Sequence, residues 1–537
     1  MEGGLEPRSS ASKARPRRAR LAHPASKARP SREQSSPIPR AKLAGERGLK
    51  SAPARSSRLR VGRATANARA GLGLRRPARA QRTPRLRGCH QCESSIVVQW
   101  SIMEILAERK IKTIRIPRVG FYGWIYLLAL ACGAVLRLIY PRDAVWDPDQ
   151  VWNFKRGIGT GSTLPWSWLG MMSSGGVPNA GMSVWIFVLL VRALGITTPE
   201  QLSRTVAVMS ILAIVLIGFW ALVQLRGSDQ EVWLAAAAIA AVNPIAIFLD
   251  RVIWSQSTLP LLAVAFWIGI WNRGRWWGAL LWGCMGACLS QIHLAGFFVS
   301  AAAFLWVLLF KRRGPRWWAY AIGTAIAGWP LVPWLKYLAT THFKPSSYSI
   351  WAHLPGKVWI WWLLSDSGLA VRYLSGNFWR QRFVVFLREP RILGIQTYGV
   401  LVVYAALTLL LASALGVSLS HFVRKRKEWK QELLIGDTQT AFLIRAMVIG
   451  FAGLITLLPA PVFVHYFLVP FPMGFVWIAS LFVRAPSWTP AQRRARLLAV
   501  IILQLLIAIT IATFLHREFA APPGSFGLHV PPQGAPY

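Results

Sequence analysis

Acidic side chains are scarce in this sequence: Asp and Glu account for 20 of its 537 residues, and charged residues of both signs for 15%. An ordinary soluble domain carries about 25% charged residues. Hydrophobic residues make up 54% of the chain, and 28 residues are tryptophan. The shortage of charge excludes an ordinary soluble enzyme and indicates that much of the chain is solvated by lipid.

Cysteine is also rare, with five residues in the chain. Cys132, Cys284 and Cys288 fall within apolar runs, where a thiol behaves as a small buried hydrophobe, so no disulfide framework is predicted. Cys89 and Cys92 form a single C-x-x-C, which is half of a zinc site without a second pair of ligands nearby. The sequence predicts no metal site, although a divalent cation stays open as a cofactor.

No apolar segment follows the basic N-terminus before residue 119, which argues against a secretory signal. Residues 1–102 contain 24 Lys and Arg against five Glu. They show no apolar periodicity, so burial cannot offset the entropy of ordering them. We expect a disordered basic tail over residues 1–110. A mitochondrial transit peptide is one interpretation; the favoured one is that translation starts at Met103.

The net charge of +42 is compatible with binding to nucleic-acid phosphates, but its distribution favours another interpretation. Beyond residue 102, Lys and Arg stand in short clusters between apolar runs, which is typical of cytoplasmic loops in membrane proteins. No nucleic-acid partner is predicted. The four clusters are Arg273 with Arg275, Lys311 to Arg316, Arg424 to Lys430, and Arg484 to Arg496.

The apolar runs predict an all-α integral membrane protein, a polytopic bundle of roughly 10–13 transmembrane helices at about 20 residues per crossing. They define a transmembrane domain over residues 119–515, before a short Pro- and Gly-rich C-terminal tail, 516–537. The runs are 119–140, 205–225, 232–248, 258–271, 277–310, 317–340, 396–423, 442–483 and 497–515.

Placing the basic clusters inside brings the polar loops together on the extracytoplasmic side. The long loop 341–395 is expected to form interfacial loop helices that cover a site. Residues 182–196 and 205–225 cannot both span the bilayer without reversing this arrangement, so one of the two is expected to be short, oblique or re-entrant.

The first extracytoplasmic loop, YPRDAVWDPDQVWNF, concentrates three of the scarce acids, Asp143, Asp147 and Asp149, within seven residues. A positioned carboxylate there could act as a general base toward a hydroxyl or amine nucleophile. The alternative is that these are solvated loop acids that help to cap the helix starting near Gln150.

Asp250 and Arg251 interrupt the apolar segment NPIAIFLDRVIWSQSTLP at a predicted membrane surface. Charged residues at that depth cost free energy unless they have partners, which makes them functional candidates. Arg251 suits an oxyanion because its planar guanidinium binds phosphate through two hydrogen bonds. The alternative is that the two residues form a surface ion pair that ends a span.

Two further segments place polar residues between apolar runs: CLSQIHLAGF contains Gln291 and His293, and PAPVFVHYFLVPFP contains His465 and Tyr466. Either histidine could bind a phosphate as the imidazolium or orient a sugar hydroxyl. The alternative is that each is a structural residue, which is the more common role of a lone histidine in an apolar run.

Four segments in this order resemble bacterial membrane glycosyltransferases of the GT-C superfamily, similar to protein O-mannosyltransferases and aminoarabinose transferases. They are DPDQVWNF, GGVPNAGMSVWIFVLLVRALG, NPIAIFLDRVIWSQSTLP with SQIHLAGFF, and HYFLVPFP. The likeness covers most of residues 119–483. The chain departs from the family pattern at Gln150, where Glu is usual, after Pro178, where a second Pro is usual, and at His465, where Arg is usual.

The resemblance implies a GT-C-like bundle that transfers a hexose or pentose from a polyprenyl-phosphate carrier to a lipid, glycan or protein acceptor. The reaction would take place at the outer face of the inner (cell) membrane, within the lipid bilayer. By position the base corresponds to Asp149, with Asp147 as its neighbour or stand-in. The implied ligands of the substrate and of the departing lipid phosphate are Arg251, Gln291, His293, His465 and Tyr466.

Two other functions stay open. A polytopic chain with intramembrane polar residues could be a membrane transporter, although the matching halves with broken spans that are usual in transporters are not evident. The departures at Gln150 and Asn179 also fit a GT-C-like membrane protein that has lost its activity.

Overall fold

The computed structural model describes residues 120–173, 176–341, 356–374, 376–424, 434–457 and 462–519. These residues are mostly helical. The predicted N-terminal tail, the C-x-x-C of Cys89 and Cys92, and most of the cluster from Arg424 to Lys430 lie outside the described residues.

The helices are numbered in chain order. They are α1 (Phe121–Leu138), α2 (Pro148–Gly159), α3 (Met182–Leu194), α4 (Pro199–Gln224), α5 (Gly227–Val242), α6 (Pro244–Leu249), α7 (Leu259–Trp271), α8 (Trp276–Ile292), α9 (Ala295–Lys311), α10 (Trp317–Gly328), α11 (Val332–Thr340), α12 (Gly356–Asp366), α13 (Gly376–Leu387), α14 (Gly399–Arg424), α15 (Gln439–Thr456), α16 (Met473–Val483) and α17 (Pro490–Phe519). Two short antiparallel hairpins pair β1 (Leu169–Met172) with β2 (Pro178–Ala180) and β3 (Arg391–Ile392) with β4 (Ile395–Gln396).

Five of the described helices, α1, α4, α14, α15 and α17, are long and apolar enough to cross a membrane. Large apolar side chains on their outer faces are exposed: Leu128, Phe219 and Leu409 are 67%, 62% and 71% exposed. Water would penalise such a surface, whereas lipid would not. The architecture is therefore consistent with a helical membrane protein. Shorter apolar helices of 10–17 residues include α3, α9 and α16.

The run 232–248 forms not one helix but two, α5 and α6, because Pro244 lacks the N–H that would continue the ladder. Asn243 fills the break. Its Oδ1 accepts the N–H of Ala246 at 2.9 Å, and its Nδ2 donates to the carbonyl of Asp366 at 2.9 Å. The break is thereby tied to the end of α12.

Helix α3 is the short segment of the two that the sequence left unresolved. Its 13 residues rise about 20 Å, less than the ~30 Å of hydrocarbon in a bilayer. Arg192 in its last turn donates to the carbonyl of Thr160 at 2.7 Å, and Glu200 in the first turn of α4 pairs with Arg142 at 3.3 Å. The C-terminal end of α3 and the start of α4 therefore lie beside the first loop.

Basic residues gather at one end of the bundle, which we call the basic end. Arg484 donates to Thr438 at 2.9 Å, and Arg273 approaches the neighbouring Gln439 at 3.5 Å. The N–H of Arg316 donates to the carbonyl of Arg273 at 3.0 Å. Three of the four predicted basic clusters thus share this end.

Helix α12, from the predicted loop 341–395, differs from the interfacial helix that the sequence predicted. Trp362 is fully buried and stacks on Phe467, with ring centroids 5.7 Å apart. Its indole N–H donates to the buried carboxylate of Asp366 at 2.8 Å. One face of α12 is therefore packed into the bundle, while Ile360 on its other face stays exposed.

Candidate functional site at the loop end

The first loop begins helix α2 with a complete capping box. Asp147 Oδ1 accepts the N–H of Asp149 at 3.0 Å, and the side chain of Gln150 accepts the N–H of Asp147 at 3.0 Å. Such a box satisfies backbone donors that have no partner within the helix. Asp147 therefore has the capping role that was the alternative interpretation of these acids. The helix starts at Pro148, two residues before Gln150.

Asp149 is the exposed acid in the first turn of α2. Within the part of the chain that the structure describes, its carboxylate accepts no hydrogen bond. Partial burial by the surrounding protein raises the pKa of Asp149. Burial, and then the charge of Asp149, raise the pKa of Asp147 against the opposing effect of its backbone hydrogen bonds. Asp149 is thus the acid of this turn whose carboxylate has no partner among the described residues.

A buried amide, that of Asn153, connects α2 to the segment after α6. Asn153 Nδ2 donates to the carbonyl of Ile253 at 2.9 Å. Gln150, about one helical turn before Asn153, is also fully buried. The capping carboxylate, Asp149 and the Arg251 segment are therefore held on one side of the bundle.

Arg251 is buried and linked to two other segments. Its guanidinium donates to the carbonyl of Tyr140, and its own carbonyl accepts the hydroxyl of Ser203 at 2.6 Å. Burial lowers the pKa of Arg251 to about 10, while the charge of Asp143 acts in the opposite direction. The guanidinium consequently stays protonated at neutral pH.

Asp250 and Arg251 do not form the surface ion pair that was the alternative interpretation. Asp250 is buried and pairs with Arg137 of α1 at 2.8 Å. Arg137 also donates to the carbonyls of Ala240 and Ala241, at 3.0 and 2.6 Å, where α5 ends. The two neighbours in sequence thus have different partners: Asp250 pairs with Arg137 of α1, and Arg251 binds Tyr140 beside the first loop.

The acid whose charge acts on Arg251 is Asp143, which the sequence placed among the acids of the first loop but not as the expected base. Asp143 is 3% exposed, and its Oδ2 lies 3.0 Å from Nδ1 of His516. The His516 ring stacks on Tyr140, with centroids 3.7 Å apart and planes 11° apart. Helix α17 continues to Phe519, past the predicted boundary at residue 515, which is how His516 reaches this loop.

His293 and His465, predicted on separate segments, lie in one aromatic cluster. The turn Val464–Leu468 places His465 with its ring centroid 6.4 Å from that of His293 and 5.2 Å from that of Trp254. Tyr466 lies 5.1 Å from His293. The structure therefore brings together three of the predicted residues. It also adds Trp254, which the sequence could have indicated only because it lies three residues after Arg251.

Both histidines lie in turns between helices, and both are neutral at pH 7. Burial lowers the pKa of His293 to about 3, with a smaller contribution from His465, and lowers the pKa of His465 to about 4. Nδ1 of His293 accepts the N–H of Ala295 at 3.2 Å, so the ring proton belongs on Nε2. This geometry suits hydrogen bonds to hydroxyl groups and argues against the imidazolium interpretation.

Gln291 has a structural role on its donor side. Its Nε2 donates to the carbonyl of Ala327 at 2.6 Å and of Ala287 at 3.1 Å, which ties α8 to the end of α10. Asn179 in β2 similarly donates to the carbonyl of Met171 at 3.0 Å. In both amides the oxygen accepts no hydrogen bond from a described residue.

The segments that resemble GT-C enzymes contain four buried polar atoms without a hydrogen-bond partner among the described residues. Native structures rarely leave such atoms unpaired, because an unmade hydrogen bond costs about 1–3 kcal/mol. Two are donors and two are acceptors, a mixture that suits hydroxyl groups. The atoms are Gln150 Nε2, Asn179 Oδ1, Trp254 Nε1 and Gln291 Oε1.

We call the bundle end that carries these residues the loop end. Among the described residues, no group of three or more His, Cys, Asp or Glu side chains could hold a metal ion. No known family model matches the chain, and no curated protein is significantly similar to it. The likeness to GT-C enzymes therefore stays with the short segments from which it was inferred.

Proposed function

We propose that this protein is a membrane glycosyltransferase of the GT-C type. It transfers a sugar from a polyprenyl-phosphate carrier to a lipid, glycan or protein acceptor at the outer face of the cell membrane. The main support is the meeting at the loop end of the first loop, the Arg251 segment and the turn of His465. The exposed apolar faces of the long helices suit the carrier's prenyl chain.

The proposed reaction assigns separate tasks to Asp149 and Arg251. Ionised Asp149 takes the proton of the acceptor hydroxyl or amine as that group bonds to the anomeric carbon of the sugar. The bond from this carbon to the carrier phosphate breaks, and its electron pair leaves on the phosphate oxygen. Arg251, protonated and with N–H groups beyond the one that binds Tyr140, stabilises the departing phosphate.

The neutral side chains of the aromatic cluster would position the sugar. Nε2–H of His293 donates to a hydroxyl, and the unpaired indole N–H of Trp254 supplies a second donor. A site that leaves buried donors unpaired without its substrate rejects analogues that lack the matching hydroxyl. The cluster is thus the part of the proposed site that selects the sugar.

A transporter is the second candidate function, and two irregular helices favour it. The α5–α6 helix breaks at the buried Asn243, and α15 contains a π-helical turn over Ala446–Phe451. Discontinuous membrane helices frequently line solute sites, and π-turns frequently mark functional sites. The break at Asn243, however, is filled by hydrogen bonds to α12, which leaves it closed.

The test of the proposed function uses the full chain reconstituted in lipid vesicles that contain polyprenyl-phosphate sugars labelled in the sugar. Transfer moves the label from the carrier to lipid, glycan or protein and releases unglycosylated polyprenyl phosphate. We expect this for at least one sugar with the unmodified chain. Label that stays on the carrier throughout, with uptake of a free solute into the vesicles, would instead assign a transporter.

A further inference from the structure

An open depression of about 500 Å³ lies at the basic end, between the loop that joins α7 to α8 and the loop that joins α9 to α10. The hydrogen bond from the N–H of Arg316 to the carbonyl of Arg273, at 3.0 Å, holds the two loops side by side. The depression is lined by Gly274, Arg275, Trp276, Trp277, Arg316 and Trp318.

The two arginines of the lining are exposed, and neither Arg275 nor Arg316 forms an ion pair with any residue in the described ranges. Arg273 behaves differently: it donates to the carbonyl of Ile270 at 2.9 Å and lies over the ring of Phe442. Residues 272–275 and 311–316 contain no Asp or Glu. The depression therefore carries positive charge that no ion pair with a described residue compensates.

Two indole rings flank this charge. Trp276 and Trp318 are each 59% exposed, at the first turns of α8 and α10. Exposed indoles at the ends of apolar helices are typical of the headgroup level of a bilayer, where an apolar ring with one polar N–H is well solvated. Cationic and interfacial groups thus meet in one concave site.

We propose that this depression binds the headgroup of an anionic phospholipid of the surrounding bilayer. Arg275 and Arg316 bind the phosphate oxygens, and Trp276 and Trp318 contact the glycerol and the first carbons of the chains. Guanidinium groups bind phosphate through paired hydrogen bonds, and basic pockets between membrane helices bind anionic headgroups. The inference is independent of the transferase proposal, because the site lies at the other end of the bundle.

The test measures lipid binding to the delipidated full chain in a neutral detergent. Phosphatidylglycerol is titrated, and the lipid retained per protein is counted by native mass spectrometry. The double variant Arg275→Gln with Arg316→Gln should bind at least about tenfold more weakly, as expected for the loss of charge-assisted hydrogen bonds. The control, Arg312→Gln with Arg313→Gln, removes the same charge from a neighbouring exposed stretch and should bind normally.

Other results would overturn the proposal. Equal weakening in the control would assign the binding to diffuse charge, and unchanged binding in the pocket variant would exclude the site. Equal retention of phosphatidylcholine would remove the selectivity for anionic lipid. Displacement by inorganic phosphate at the lipid's own concentration would assign a soluble phosphate ligand. Trp318→Ala supplies a second test, because it should weaken lipid retention without removing charge.

Discussion

The carboxylate of Asp143 lies 3.0 Å from Nδ1 of His516, which joins the first loop to the last helix across 373 residues of sequence. The His516 ring also stacks on Tyr140, whose carbonyl accepts a hydrogen bond from Arg251. Three distant segments thus close the loop end around one buried acid. Its neighbours include the cation that we assign to the departing phosphate.

Asp143→Asn should destabilise the protein by about 1–3 kcal/mol, because it removes the charge that faces buried Arg251 and weakens the contact with His516. Thermal unfolding of the purified chain in detergent measures the change. Asp437→Asn replaces an exposed aspartate near the basic end and should leave the unfolding temperature unchanged. Equal unfolding temperatures for the two variants would contradict this account.

Asp149→Asn should abolish sugar transfer while leaving expression and membrane insertion intact, since it removes the proposed base from an exposed position. The labelled-carrier assay measures transfer. Asp147→Ala is the comparison: losing the cap should cost about 0.5–2 kcal/mol of stability while turnover persists. Wild-type turnover in the Asp149 variant would reject this residue as the base.

The rate of transfer should fall at acidic pH, and the fall should begin at a higher pH than the pKa of a free aspartate. The base works only when ionised, and burial raises the pKa of Asp149. Activity should therefore fall as the pH drops through that raised pKa and rise again on return to neutral pH. Initial rates across a pH series measure the fall. A fall at the pKa of free aspartate, about 3.9, would show that Asp149 does not limit the reaction.

Asp250→Asn should destabilise the protein by about 3–5 kcal/mol, because it leaves the buried guanidinium of Arg137 without its counter-ion. Glu200→Gln breaks the solvent-accessible pairs of Glu200 with Arg142 and Arg204 and should cost less than about 1 kcal/mol per pair. Unfolding temperatures of both variants in detergent provide the comparison. Similar losses in the two would show that burial of the first pair has no energetic consequence.

Gly323→Ala should destabilise the contact of α10 with α8 by about 1–3 kcal/mol, since an added Cβ would collide with the carbonyl oxygen of Leu280. Gly416 in α14 has no neighbouring atom within 4 Å of such a Cβ. Gly416→Ala should change stability by less than about 1 kcal/mol. Resistance to thermal unfolding distinguishes the two, and equal behaviour would argue against close packing of α8 and α10.

Helix positions followed from local pattern wherever one apolar run corresponds to one helix. The run 119–140 became Phe121–Leu138, and the run 396–423 became Gly399–Arg424. The run 277–310 contains two helices that turn at His293, which is where the sequence places the polar residues Gln291 and His293 between two apolar runs. Polar residues inside an apolar run are a local signal, so this turn could be predicted from the sequence.

The sequence alone determined that the chain is helical and that it carries apolar segments long enough to cross a membrane, because residue composition and the length of apolar runs act locally along the chain. Only the tertiary structure decided that Asp143 faces Arg251, that Asp250 belongs to Arg137, and that His293 is neutral. Partner choice and ionisation depend on which distant segments exclude water around a group. That exclusion is a property of packing, which no short stretch of sequence contains.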